Sequence, residues 1–333
     1  MPRRTVTLHL GVNGAFCTRR WEEPDNWMRL TRECGYRCHE FCADVIDPFF
    51  SGTRDYQLAT AAQVKAAAER HGVRITDIYT GVATHRFHGL SHSDPRCRDR
   101  MKAWVVDAMD IALAMGTDAV GGHWDALSCE VLQDASRTQE AIRRQHETFR
   151  ELARTAKGKG LRALYNEQMY TPSEVPWTLQ QAREFLVSVN RDADGVPVYL
   201  TVDVGHQAGM HYGLAGEDLS YEAWLREIGA FAEIIHLQQT TPDASHHWAF
   251  TEEYNRRGHV RMEKVLEALH RAHEECHKSP IAEHLPPAQV AYLVAEIIPG
   301  STKTEAALLT ELRESAEYLC QYVPEAGLTW TFD

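Results

Sequence analysis

The chain has 333 residues, 44% of them hydrophobic and 25% charged, with 35 Lys plus Arg against 47 Asp plus Glu and a formal charge of −12. These proportions suit a folded protein with one large core, and the shortage of basic groups argues against a nucleic-acid partner, whose phosphates need neutralising. No apolar stretch approaches the roughly 18 residues of a membrane span and the run after the arginines of MPRRTVTLHLGVNG is too short for a signal-peptide core, so a cytoplasmic protein without a membrane partner is expected.

In chain order, strand-like and helix-like segments alternate. Residues 5–11 predict a first strand, 24–35 an amphipathic helix stopped at Gly35, and 39–43 a short second strand. An Ala-rich helix over 58–71 closes on Gly72, followed by a strand over 73–79 and a loop over 80–98 that would cover the mouth of the fold. A helix over 99–115, a strand over 118–123, a long helix over 135–159 and a strand over 161–167 complete the next two units, with Gly116 and Gly160 as the helix stops. The second half repeats the plan with strands over 198–203, 233–237 and 289–297 and helices over 178–190, 221–229, 262–276 and 303–322. Eight strands each followed by a helix, without a composition shift, predict one α/β domain over 1–333, a closed (β/α)8 TIM barrel with an extended loop near 238–260. No GxGxxG or GxxxxGK[ST] follows the first strand, which weakens a nucleotide-binding alternative.

Eight cysteines include no CxxC pair. Cys34, Cys38 and Cys42 recur every four residues, but free Cys packs as a small hydrophobe, and burial across a helix-to-strand junction is the simpler reading.

Four apolar runs end on a chemically useful residue: ALYNE at Glu167, VYLTVD at Asp203, EIIHLQQ at His236 and AYLVAE at Glu296. A single such residue is as easily a cap or a surface charge. Strands five to eight are neighbours in a barrel, however, and barrel enzymes keep their chemistry at the carboxyl ends of the strands. Three hard carboxylates and one imidazole would converge there as a site for one divalent ion, Mn²⁺ or Mg²⁺ first, with Co²⁺ or Zn²⁺ as alternatives. His123 ends the fourth strand behind two glycines that allow close backbone approach, and is a candidate substrate contact. His85, His88 and His92 in the mouth loop read as surface or capping histidines.

The NE of strand five, DVGH (203–206), IIHLQQT (234–240) and the AE of strand eight make the chain similar to the xylose-isomerase-like sugar isomerases and epimerases. LGVNGAF, ADVIDPF and HLQQT…HHWAFT…YN resemble more narrowly the erythrulose-phosphate 3-epimerases of tetritol catabolism. The resemblance implies a metal held by Glu167, Asp203, His236 and Glu296, with Glu167 and Glu296 also the catalytic acid/base pair and His206 a contact to a substrate oxygen. It implies epimerisation of a short ketose or ketose phosphate: one carboxylate removes a proton beside the ketone, the other returns one, and the metal stabilises a cis-enediolate. Where better-known ketose epimerases carry an Arg after the metal His, this chain has Gln238, Gln239 and SHHW, so Gln238, His246 and His247 are the candidates for the substrate's tail. Tyr79, Trp124 or Trp248 would lie over the sugar's apolar face. A homo-oligomer is implied as well.

Four other functions use the same residues differently. An aldose–ketose isomerase and a decarboxylase of a branched 3-keto sugar acid share the intermediate. A trinuclear-zinc phosphoesterase resembling abasic-site endonucleases shares the barrel, but the Asp-x-His it needs after strand seven is missing, Asp243 being followed by Ala, Ser and His246. A non-catalytic sugar-binding barrel would leave the two extra carboxylates without a role.

Overall fold

In the computed structural model, which describes residues 3–80, 84–192 and 194–332, the eight expected strands close into a parallel barrel. They are β1 (Arg4–Asn13), β2 (Cys38–Cys42), β3 (Arg74–Tyr79), β4 (Ala119–Gly121), β5 (Ala163–Glu167), β6 (Val198–Asp203), β7 (Ile234–Leu237) and β8 (Val290–Ala295). Each pairs in parallel with its neighbour, and the ring shuts where Gly11 to Asn13 of β1 pair with Cys38 to Glu40 of β2. β5, β6 and β7 are buried along their whole length, as strands covered on both faces must be.

The sheath is α1 (Pro24–Glu33), α2 (Arg54–His71), α3 (Pro95–Met115), a one-turn α4 (Cys129–Leu132), α5 (Ala135–Lys159), α6 (Leu179–Asn190), α7 (Tyr221–Ile228), a short α8 (Glu252–Arg257), α9 (Met262–Glu275) and α10 (Glu305–Leu319). Local chemistry sets their ends. Thr53, Asp94 and Asp134 accept hydrogen bonds from first-turn amides of α2, α3 and α5. Gly72, Gly116 and Gly160 stop the same helices with φ of 65°, 85° and 91°, a region in which a Cβ is strained. α3 starts four residues before the expected boundary because Asp94 caps it and Pro95 occupies its first position. The mouth loop is correspondingly shorter, and its residues 81–83 lie outside the described ones.

One strand was not expected. β9 (Leu328–Phe332) runs antiparallel to β1 and pairs with Arg4 to Leu8, the half of β1 that β2 does not reach. The amino end of the barrel is filled by a polar cluster: Arg162 donates to both Glu233 oxygens at 2.8 and 2.6 Å, and the Tyr165 hydroxyl donates to Glu233 at 2.7 Å. Cys34 ends α1, while Cys38 and Cys42 sit on β2, all buried. Burial raises the Cys34 and Cys38 thiols to about 11, so they pack as small apolar groups. No helix among the described residues is long and apolar enough to cross a membrane.

Candidate active site and metal centre

Register decides what meets at the carboxyl end of the barrel. Glu167 pairs with Thr201, Asp203 with His236 and His236 with Val294, so adjacent strands deliver these side chains at one level. Glu296 extends the ladder one residue past β8, its amide donating to the Leu237 carbonyl at 2.9 Å. One ligand atom from each of Glu167, Asp203, His236 and Glu296 lies within 4.8 Å of the others, and all four residues are buried. Among the described residues this is the one such group, which gives no support to a three-metal site.

His236 Nδ1 is the centre of the cluster. It lies 3.0 Å from Glu167 Oε1 and 3.1 Å from Glu296 Oε2. On the ring's other side, Nε2 donates to Glu40 at 3.0 to 3.1 Å, and Asn13 donates to the same carboxylate at 2.5 Å. A carboxylate behind an imidazole sets its tautomer and leaves the other nitrogen bare for an ion. Glu40 was not foreseen: it lies within the expected second strand rather than at the end of an apolar run, although all five residues of CHEFC are buried. Burial pushes the Glu40 carboxyl up from its usual value. For Glu296 burial acts in the same sense, but His236 and His247 more than offset it and hold the carboxyl well below the usual range.

Asp203 is held by Gln238, whose amide donates to Oδ1 at 2.9 Å and Oδ2 at 3.0 Å, and by the Gly205 amide at 2.5 Å. A Cβ on Gly205 would come within 2.3 Å of Gln238 Cδ, so the DVGH turn needs glycine for that approach. Two more histidines aim at the site in a defined tautomer. His206 Nδ1 donates to the Gln168 carbonyl at 2.9 Å, and His123 Nδ1 donates to the Glu167 carbonyl at 3.1 Å. Both carbonyls can only accept, so each Nδ1 carries a proton; Nε2 of His123 is buried and has no hydrogen-bond partner among the described residues. Burial lowers the His123 pKa, which keeps that ring neutral.

A cavity of about 300 Å³ opens onto these groups, with Glu167, Glu296, His123, His206 and His247 in its wall. His247 has a φ of 50°, and its Nδ1 lies 3.2 Å from Glu296 Oε2 at ion-pair distance. Burial would lower its pKa, but Glu296, Asp203 and Glu167 dominate and raise it to about 9.

Five expected substrate contacts lie elsewhere. Gln238 is fully buried beneath Asp203 and holds that carboxylate, as described above. His246 stacks on Trp248 at 3.9 Å, Trp248 stacks on Tyr254, and a bridge between Gln239 and Trp248 turns this group away from the cavity. Tyr79 packs edge-on against His236 at 4.7 Å, below the cluster. Trp124 is core, stacked on Phe149. His85, read as an ordinary loop histidine, lines the cavity and pairs with Glu174 at 3.1 Å. His88 bonds the Ala126 carbonyl and His92 accepts from the Asp94 amide, both local roles.

The donor set fits a divalent cation. Three buried carboxylates surround one imidazole nitrogen, and among the described residues no Lys or Arg is paired with any of them or with Glu40. Buried carboxylates in this number need opposite charge to meet them, which His236 and His247 supply in part and a cation would complete.

Comparison with known proteins agrees with this architecture. The D-erythrulose 1-phosphate 3-epimerase of Brucella abortus (strain 2308) is 25% identical over 265 residues, 79% of this chain and 84% of that protein. A crystal structure of a candidate xylose isomerase from Rhodospirillum rubrum superposes with a TM-score of 0.80 at 22% identity, covering 95% of this chain and all of that one. D-psicose 3-epimerase of Clostridium cellulolyticum, solved with D-tagatose, gives 0.64 at 16% identity over 94% of this chain and 99% of that one. Residues 28–276 match the model of the xylose isomerase-like TIM barrel, and the chain belongs to that family.

Proposed function

We propose that the protein is a metal-dependent 3-epimerase of a short ketose or ketose phosphate of the erythrulose phosphate type. One observation carries this reading: Glu167 and Glu296, from strands three places apart in the ring, bring their carboxylates to 3.0 and 3.1 Å of one nitrogen. A substrate seated there would be flanked by two groups able to exchange protons, which inversion beside a ketone requires. The similarity to the Brucella epimerase, whose name states such a reaction, supports it.

In this scheme Glu167 or Glu296 takes the proton and the other returns one to the opposite face. Bare Nε2 atoms on His123 and His206 accept hydrogen bonds from substrate hydroxyls and fix the carbon between the carboxylates. An ion held by Glu167, Asp203, His236 and Glu296, with Mn²⁺ or Mg²⁺ best suited to that set, would supply Lewis-acid stabilisation of the developing oxyanion. Glu40 and Gln238 act indirectly, by holding His236 and Asp203.

In D₂O the protein is expected to convert erythrulose phosphate to its epimer with solvent deuterium at the inverted carbon, and to carry one ion per chain by mass spectrometry. An aldose product would indicate an isomerase, and release of carbon dioxide a decarboxylase. Absence of exchange on any short ketose would count against all epimerase readings. Glu40→Gln is expected to weaken metal binding by about 10- to 100-fold, the usual effect of removing an outer partner of a ligating histidine. Competition with a fluorescent chelator would measure this, and unchanged affinity would show that Glu40 does not orient the ring.

A further inference from the structure

Besides the carboxylates and histidines, the cavity is lined by the segments that follow β1 and β8: Thr18, Arg19 and Arg20 from the first, Ser301 from the second. Neither arginine belongs to any motif noted above. Their environments differ. Arg20 has a side chain only 6% exposed, is paired with Glu305 at 2.6 Å and donates to the Gly300 carbonyl at 3.4 Å, so its charge is taken up within the protein. Arg19 is exposed and makes no ion pair or hydrogen bond from its guanidinium among the described residues, its charge acting on Glu305 only at longer range. It also sits at a φ of 56°, a conformation that costs a non-glycine residue about 1 kcal/mol or more. The short turn Gly14–Cys17 before it, capped by the Asn13 side chain, sets the position from which it faces the cavity.

The other cationic candidates do not serve this cavity. His85 is paired with Glu174 and His247 with Glu296. Arg257 lies over the Trp248 ring and pairs with Glu253, Arg256 pairs with Glu252, and neither lines the cavity. Asp44 also lines this wall, so an anion there needs a strong local cation to be held.

The geometry points to Arg19 as the residue that holds a terminal phosphate monoester on the substrate, with the Thr18 and Ser301 hydroxyls beside it, so that the enzyme selects phosphorylated over free ketoses. A guanidinium offers paired donors matched to phosphate oxygens, and Arg19 lines the same cavity as Glu167 and Glu296. This inference rests on reading the cavity as a ketose site.

The test compares wild type, Arg19→Gln and Arg19→Lys as metal-loaded enzymes on erythrulose phosphate and free erythrulose. The ratio of kcat/KM for the phosphorylated to the free sugar is expected to fall about tenfold or more in Arg19→Gln, mainly through KM, with part of the loss restored in Arg19→Lys; the scale is that of one charge-assisted pair. A ratio that stays within about twofold of wild type would overturn the assignment. If wild type turns over no ketose, the epimerase reading fails, and calorimetric titration with dihydroxyacetone phosphate decides the anion site alone. About tenfold weaker binding to Arg19→Gln would uphold it, whereas equal binding, or none to wild type, would overturn it.

Discussion

Glu167→Gln and Glu296→Gln are each expected to lower kcat by about 10³-fold, within the range that positioned acid–base groups contribute. Glutamine keeps the volume and polarity of the side chain, and both residues are buried at the carboxyl end of the barrel without supporting the core, so the fold should survive. What is lost is an exchangeable proton at one face of the substrate, and also one charged ligand. Metal content measured beside kcat separates these: a variant that retains its ion but not its rate has lost proton transfer. An epimerase that works in both directions needs both groups, so both variants should be impaired. A decarboxylase needs a single proton returned, and the two losses would then be unequal. Activity within about tenfold of wild type in either variant would remove that residue from the pair.

Three buried histidines should destabilise the protein as pH falls below about 6.5. Burial lowers His39 to about 3, His146 to about 4 and His273, with the Arg4 charge adding to the effect, to about 3. His39 bonds the Thr31 hydroxyl at 2.8 Å, His146 packs edge-on to Phe185, and Arg4 donates to His273 Nδ1 at 3.1 Å. These rings are neutral in the folded chain and take up protons near pH 6.5 when it unfolds. Their contribution is therefore complete above pH 6.5 and is lost progressively from there down to their folded values. Each ring removes about 1.4 kcal/mol per pH unit in that window, which for three amounts to roughly 6 kcal/mol at pH 5 and a drop in Tm on the order of 10 °C. Thermal melts from pH 7 to 5 measure it. His146→Gln should flatten the slope by one ring's share, and a Tm independent of pH over that interval would show that these rings accept protons in the folded state.

Much of the barrel was legible because its strands are covered on both sides and appear as unbroken apolar runs, punctuated by glycines where helices stop. The metal-type cluster was legible for the same reason: Glu167, Asp203, His236 and Glu296 each interrupt or end such a run. Glu40 was not, since interior polar residues of a five-residue strand leave no periodic trace. β9 did leave one, the alternation in LTWTF, but it lies beyond the eighth unit, where the repeating plan offers it no place. The loop after β7 was misjudged for a different cause. Adjacent residues there point in opposite directions: His247 turns inward through a left-handed backbone, while His246 and Trp248 turn outward to stack. Arg19 likewise depends on a backbone angle rather than on composition.

The pairing of Leu328–Phe332 with Arg4–Leu8 has a bearing on solubility. Without that final ribbon, the first half of β1 would present bare amides and carbonyls to any passing chain, the usual invitation to intermolecular zippering. The outermost border is instead only five residues long and carries Thr329 and Thr331 facing water, a poor template for recruitment. The tail thus shields the incompletely matched seam between β1 and β2, at the amino end of the barrel away from the chemistry.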